Sequence, residues 1–231
     1  MDAVILCGGE GTRIRHLLPE GTPKCMADIN GTPFLELLLA ALAAKDIRGQ
    51  VILCTGYGHD MIWNYYCWSN SPHKVWLSEE KQSSGTGGAI KKALLHGKYL
   101  LEDPSDPVIQ SDPFFIFNGD TICDVDCGAM LKYHETTNST VTIACDKDFR
   151  HVGAFIASRR FIDFIPPDCN IDMAEVFTLL DKAHEPVGCF ITDAPFYDIG
   201  DKEGLETFRA YWASKGEKDA RQSLYRGPRI G

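Results

Sequence analysis

The sequence predicts an α/β protein built as one doubly wound, mainly parallel sheet with helices on both faces, in a single domain. Three observations predict it. Short apolar, β-branched runs alternate with longer helix-like segments through the first half, and parallel strands need crossovers long enough to hold a helix. A glycine-rich run follows the first strand-like segment directly. The length of 231 residues, with 44% hydrophobic and 24% charged residues, suits one sizeable globular domain rather than a disordered chain.

Taken in order, residues 3–7 read as the first strand. Thr32 and Pro33 open a helix that runs to residue 44: the threonine caps the first amides, the proline takes the first helical position, and Leu35, Leu38, Leu39 and Leu42 recur at helical spacing for packing on the sheet. Strands follow at 50–54, 74–78 and 114–117, with helices at 59–68 and 87–96 between them. The second half is less regular, with strands at 140–145, 153–158, 188–192 and 196–199 and helices at 172–184 and 201–212. There are no internal repeats. The domain is expected to occupy residues 1–214. Residues 215–231 form a polar tail containing Lys215, Lys218, Arg221, Arg226 and Arg229, with little to bury.

Composition narrows the function classes. The formal charge of −9 opposes holding a polyanion over a broad surface, which excludes nucleic acid but leaves room for a small phosphorylated ligand gripped by local cations. The longest apolar stretch, 34–44, carries Glu36 and is too short to cross a bilayer, and no basic leader precedes the first strand, so a cytoplasmic protein without membrane contact is expected. The nine cysteines are odd in number, and Cys54 and Cys145 sit in strand-like runs, so reduced thiols are expected. Cys123, Cys127 and His134 lack a paired CxxC and a fourth ligand, and a zinc site is discarded.

The chemistry concentrates in Leu6-Cys7-Gly8-Gly9-Glu10-Gly11-Thr12-Arg13, at the carboxyl edge of the first strand. Glycines there let main-chain N–H groups approach phosphate oxygens, and the same residues also serve a plain tight turn. The run matches neither GxxxxGK[ST] nor G-x-G-x-x-G. Arg13, Arg15 and then Pro23-Lys24 supply local positive charge suited to a triphosphate. Asp120 follows the apolar run 114–117, and Asp198 follows Phe196-Tyr197. Each reads either as a turn residue or as half of a carboxylate pair for Mg²⁺, a hard ion that keeps some water.

These motifs resemble the sugar-nucleotide pyrophosphorylases, nucleotidyltransferases whose first motif G-G-x-G-T-R is followed by a P-K pair. Three further segments match in order: Glu80 with Gly85-Thr86-Gly87-Gly88-Ala89-Ile90, Phe117-Asn118-Gly119-Asp120-Thr121, and Tyr197-Asp198-Ile199-Gly200. Within the family, Ile5-Leu6-Cys7-Gly8-Gly9 and Ser78-x-Glu80 are similar to the small enzymes that activate heptose 1-phosphate with GTP. The resemblance implies a Rossmann-like, glycosyltransferase-A-like fold, a nucleoside triphosphate and a sugar 1-phosphate as substrates, and Mg²⁺ on Asp120 and Asp198. It assigns Arg13, Lys24 and Asp120 to catalysis. Leu6, Gly8, Gly9, Gly11, Thr12, Arg13, Lys24, Gln82, Gly85 and Thr86 are assigned to the nucleotide, and Gly119, Gly153 and Lys147 to the sugar phosphate. Lys147 stands in for an absent family lysine.

The pattern breaks in two places. Pro23-Lys24-Cys25-Met26 departs from the family's P-K-P, and about two dozen family positions are missing between the strand ending at Cys145 and Gly153. The nucleotide half is intact and the sugar half pared down. The rival readings are thus an active enzyme with a more open sugar pocket, a nucleotide-sugar-binding homologue with weakened turnover, and a redox or zinc protein. Base (GTP, CTP, UTP or dTTP), sugar (heptose, mannose or glucose 1-phosphate), and monomer or homodimer stay open at this stage.

Overall fold

A computed structural model describes residues 1–68, 75–96, 98–99, 109–167 and 169–214. The expected tail at 215–231 and the start of the strand expected from Lys74 lie outside the described residues.

The chain opens with β1 (Ala3–Leu6), whose first three residues are fully buried. The Asp2 carboxylate ahead of it accepts from the N–H groups of Gln50 (2.8 Å), Gln110 (2.7 Å) and Ser111 (2.8 Å), fixing where the first strand enters. Next come β2 (Asp28–Ile29) and β3 (Thr32–Pro33), a hairpin turning on Asn30 and Gly31 at φ of 51° and 90°. Positive φ at both central residues is what a type I′ turn requires, and Asn-Gly supplies it.

This hairpin corrects one expectation. Thr32 does not cap the following helix, because pairing opposite Ile29 holds it extended. Helix α1 (Phe34–Ala44) begins after Pro33 with no side-chain cap, and the Phe34 N–H donates instead to the Ala27 carbonyl at 2.9 Å. Leu35, Leu38, Leu39 and Leu42 pack on the sheet as their spacing predicts. Phe34 and Leu37 face the other way, and Phe34 meets Phe208 edge-on at 5.1 Å.

Then follow β4 (Val51–Thr55), α2 (His59–Trp68), β5 (Trp76–Glu79), α3 (Gly85–His96), β6 (Lys98–Tyr99), β7 (Phe114–Asn118) and β8 (Thr121–Cys123). The second half adds α4 (Cys127–Thr136), β9 (Val141–Cys145), β10 (His151–Ala157), α5 (Met173–Lys182), β11 (Val187–Ile191), β12 (Phe196–Asp198) and α6 (Lys202–Ser214). Helix α4 was not expected from the sequence. It buries only Cys127, Met130 and His134, too few apolar positions for a clear helical stripe, and is started by Asp126, whose carboxylate accepts the Ala129 N–H at 2.9 Å. The His134 ring is taken up by the hydroxyls of Thr142 (2.9 Å) and Ser158 (3.0 Å), so it serves the core.

The main sheet has eight strands in the order β11-β9-β10-β7-β1-β4-β5-β6. β1 runs parallel to β4 and β7, β4 to β5, and β9 to β11, while β10 and β6 run antiparallel to their neighbours. The doubly wound, mainly parallel sheet predicted from the sequence is present, with helices on both faces. Its registers bring Leu6, Cys54, Ser78 and Asn118 level at the carboxyl edge. A second small sheet pairs β8 with β12 antiparallel, setting Asp198 opposite Thr121. Among the described residues no helix is long and apolar enough to cross a membrane.

Candidate active site

The glycine-rich loop leaves the sheet held on both sides. The Cys7 N–H donates to the Cys54 carbonyl at 2.8 Å, the Gly119 N–H to the Leu6 carbonyl at 3.0 Å, and the Tyr57 N–H to the Gly8 carbonyl at 3.4 Å. A Cβ on Gly8 would stand 3.3 Å from both Glu80 Oε2 and Gly56 N, so glycine lets the main chain lie close to Glu80 without crowding. Gly9 opens onto free space. Gly11, at φ 60°, turns the chain, with the N–H groups of Ile14 and Arg15 donating to its carbonyl at 3.0 and 2.9 Å. Thr12 and Arg13 are exposed at the rim.

Four charged residues gather beside this loop. Lys24 starts a single helical turn, Lys24–Met26, and its Nζ pairs with Asp120 Oδ2 where both side chains are about four-fifths covered. Asp198 joins them through the backbone: β12 lies against β8, and the Ile199 N–H donates to the Asp120 carbonyl at 2.9 Å. Asp198 Oδ1 accepts the Gly200 N–H at 2.6 Å. A Cβ on Gly200 would meet Asp198 Oδ1 at 2.7 Å and Arg13 Nη2 at 2.9 Å, which places the Arg13 guanidinium over the same spot. Arg15 is diverted, lying 4.0 Å from the Tyr57 ring centroid and 3.9 Å from Glu10.

Desolvation, then the negative charge of Asp120, hold the Asp198 carboxyl above the usual carboxylate range, with the Gly200 N–H, Lys24 and Arg13 pulling the other way. The folded site therefore favours the protonated form more than water does. Any activity that needs the Asp198 carboxylate is expected to fall on acidification at a pH above the ordinary aspartate range, as the folded carboxyl takes up its proton. A pH–rate profile of the wild type, compared with one for Asp198→Asn that lacks this limb, checks it.

A cavity of about 200 Å³ opens between these groups, lined by Leu6, Gly9, Lys24, Thr86, Gly119 and Asp120 among others. Thr86 reaches it from the start of α3, and its hydroxyl also accepts the Met173 N–H at 2.9 Å. The glycines of the α3 entry are dictated by packing. Gly85 has φ 71°, and a Cβ there would come within 2.3 Å of the Ile171 carbonyl oxygen. Gln82, assigned to the nucleotide from the sequence, lies elsewhere, lining a separate 650 Å³ groove with Lys91, Pro166 and Asn170.

Glu80, absent from the residues assigned to the nucleotide above, lies against the glycine loop. Its N–H donates to the Thr55 carbonyl at 2.8 Å, its Oε1 accepts the Ser84 N–H at 3.1 Å and the Ser84 hydroxyl, and its Oε2 faces Gly8. The signal was present as Ser78-x-Glu80 two residues before Gln82. The sugar-side residues divide similarly. Gly119 lies in the cavity, pressed within 2.7 Å of the Leu6 carbonyl oxygen if a Cβ is added. Gly153, at φ 83°, sits at an irregularity in β10 against the Thr121 side chain, behind Asp120. Lys147 is exposed in the 146–150 turn, where Asp146 is taken by Arg150 at 2.8 Å.

Gly58 underpins the Lys24 turn. It has φ 72°, and an added Cβ would lie 2.5 Å from Pro23 Cδ. Gly58→Ala is expected to lower unfolding stability by about 1–3 kcal/mol and to reduce activity by displacing Pro23 and Lys24, measurable by urea denaturation beside steady-state kinetics.

Chemically, the site offers main-chain amides and two cations to phosphates, and two carboxylates to a hard cation, at the carboxyl edge of a doubly wound sheet where ligands of such folds bind. The chain is similar to several known proteins. The heptose enzyme "D-glycero-alpha-D-manno-heptose 1-phosphate guanylyltransferase" of Aneurinibacillus thermoaerophilus is 38% identical over 160 residues, 68% of this chain and 63% of that protein. Its namesake from Campylobacter jejuni is 37% identical over 136 residues, 59% of this chain and 54% of that protein, so the chain spans less than two thirds of the length of either relative. The crystal structure of HddC from Yersinia pseudotuberculosis superimposes with a TM-score of 0.73 at 27% identity, covering 91% of this chain and 99% of that one. The same protein has also been solved complexed with GMP-PN. Residues 2–152, which contain the glycine loop, Lys24, Glu80 and Asp120, match the nucleotidyl transferase family model, and the chain belongs to that family.

Proposed function

We propose that the chain condenses GTP with heptose 1-phosphate, releasing pyrophosphate and forming a nucleoside-diphosphate sugar. The observation that carries this reading is the meeting of Asp120 and Asp198 beside Lys24 and Arg13 at the mouth of the glycine-lined cavity. Two carboxylates whose charges disfavour one another offer hard oxygen donors, which fit Mg²⁺ better than a soft or borderline metal. When bound there, Mg²⁺ neutralises phosphate charge shared between the two substrates.

The reaction is an in-line displacement: an oxygen of the sugar phosphate forms a bond to the α-phosphorus as the bond from that phosphorus to the pyrophosphate oxygen breaks. Lys24, next to Asp120, supplies positive charge to the α-phosphate region. Arg13 and the amides of the Gly8–Thr12 loop hold the β- and γ-phosphates. Catalysis then rests on alignment and on charge placed where it develops, without a covalent enzyme intermediate.

The base preference rests on Glu80. A carboxylate accepts but does not donate, and guanine presents two neighbouring donors, N1–H and the 2-amino group, to such an acceptor. Gly8 lets the base plane approach it. Glu80→Gln is expected to lower kcat/KM for GTP by about 10–100-fold, a loss of 1–3 kcal/mol for one charged hydrogen bond, with little change for UTP. The whole reading is tested by incubating the protein and Mg²⁺ with each nucleoside triphosphate against heptose, mannose and glucose 1-phosphates and following pyrophosphate. Release is expected for GTP with heptose 1-phosphate, and silence for every pair would contradict the assignment. Nucleotide binding with such silence would instead favour a binding homologue without turnover.

A further inference from the structure

We propose that Cys7 and Cys25 are a modification site, a thiol pair lining the nucleotide cavity that a peroxide closes into a reversible disulfide, withdrawing Lys24 from its working position. Nothing in the proposed chemistry uses either thiol. Cys25 stands where the resembled family has the second proline of P-K-P, so this chain places a thiol directly after Lys24. Cys7 is the first residue past β1.

Cys7 and Cys25 are 4% and 2% exposed, belong to one core cluster, and both line the 200 Å³ cavity. The Cys7 Sγ is fixed beside Gly119, at 2.9 Å from where a Cβ would stand. The Cys25 thiol comes within hydrogen-bonding reach of the Cys7 thiol. That contact and burial hold the Cys7 thiol well above its ordinary range, and both cysteines are free thiols in the structure. Cys145 and Cys189 also approach one another, but they lie on β9 and β11 and line no part of this cavity.

The chemistry balances with hydrogen peroxide as the oxidant. One thiol sulfur attacks a peroxide oxygen and breaks the O–O bond, its proton leaving with the departing hydroxide as water, which gives a sulfenic acid. The second thiol displaces the sulfenic oxygen as water and forms the S–S bond. Two thiols are oxidised by two electrons in total, the peroxide is reduced to two waters, and a dithiol reverses the bond by exchange.

An S–S bond of about 2.05 Å is far shorter than a thiol–thiol contact, so closure draws Cys25 toward the sheet. Lys24 and Cys25 share one turn, tied by the Met26 N–H to the Pro23 carbonyl at 2.8 Å and the Ala27 N–H to the Lys24 carbonyl at 3.0 Å, and Lys24 moves with it. A displacement of about 1 Å in such a site costs on the order of 10²-fold in rate.

The effect on turnover rests on the proposed reaction, whereas the bond itself does not. The full, reduced chain is treated with hydrogen peroxide, with and without GTP, then alkylated and peptide-mapped. Binding of a fluorescent GTP analogue and pyrophosphate release are followed in parallel. Expected are a mass loss of two hydrogens, a Cys7–Cys25 linked peptide, slower linkage with GTP bound, and about 10²-fold lower turnover that dithiothreitol restores. In Cys25→Ser and Cys25→Ala, each checked for folding by thermal melting, the ratio of oxidised to reduced activity returns to about one. Cys7 and Cys25 still alkylated while another pair links would overturn the proposal, as would a Cys7–Cys25 link that leaves nucleotide binding and turnover unchanged. If no substrate pair turns over, linkage and nucleotide binding still decide it, and only the reaction assignment fails.

Discussion

Asp198→Asn is expected to lower pyrophosphate release by about 10²–10³-fold while leaving nucleotide affinity within a few-fold of wild type, because the lost charge acts where charge develops in the transition state. The variant keeps the geometry: an asparagine oxygen still accepts the Gly200 N–H that Asp198 Oδ1 accepts at 2.6 Å. Stability should move the other way. An acid held above its ordinary range is disfavoured as the anion in the folded state, so the cost grows as pH rises through the window between the unfolded and folded values and is complete above it. In metal-free buffer at neutral pH the asparagine variant is therefore expected to melt at a higher temperature than wild type, and added Mg²⁺ should raise the wild-type melting temperature more than the variant's. Equal losses in binding and turnover, or a lower melting temperature, would count against this role for Asp198.

Lys24→Met carries the second large effect, again on the order of 10²-fold in turnover, with a stability loss this time. Lys24 is the ion-pair partner of Asp120 and one of two cations that counter Asp198. Without it the two carboxylates repel each other in a mostly covered setting. The double variant Lys24→Met with Asp120→Asn should regain most of the stability and none of the activity, since the unpaired charge is gone but the phosphate contact is not restored. Urea denaturation of the single and double variants alongside kinetics separates the two contributions.

Much of this site was legible in the sequence, for reasons the structure makes plain. Parallel strands end together, so residues just past 3–6 and 114–118 had to meet, and their registers against each other bring Leu6 level with Asn118. Asp120 and Asp198 could be paired only through the family resemblance, because their meeting depends on a three-residue strand, β12, folding back on β8, which no local pattern announces. One error has a clear cause. Thr32 was taken as a helix cap because it has the right chemistry next to the right motif. Tertiary placement decided otherwise: the Asn30-Gly31 hairpin keeps Thr32 in a ladder. The Ser84 contacts hold Glu80 against Gly8, while Gln82 lines the neighbouring groove. Helix α4 escaped notice because its buried positions include a histidine and a cysteine rather than a row of leucines. Lys147, proposed to replace a lysine missing from the shortened segment, sits in an exposed turn.

The central claim is attack at the α-phosphorus, and the fate of that atom tests it most directly. GTP labelled at the α-phosphorus is incubated with the protein, Mg²⁺ and heptose 1-phosphate, and the products are separated. The account predicts that the label appears in the sugar nucleotide while the pyrophosphate formed in equal amount carries none. Labelled pyrophosphate, or labelled GDP released with inorganic phosphate and no sugar nucleotide, would contradict it.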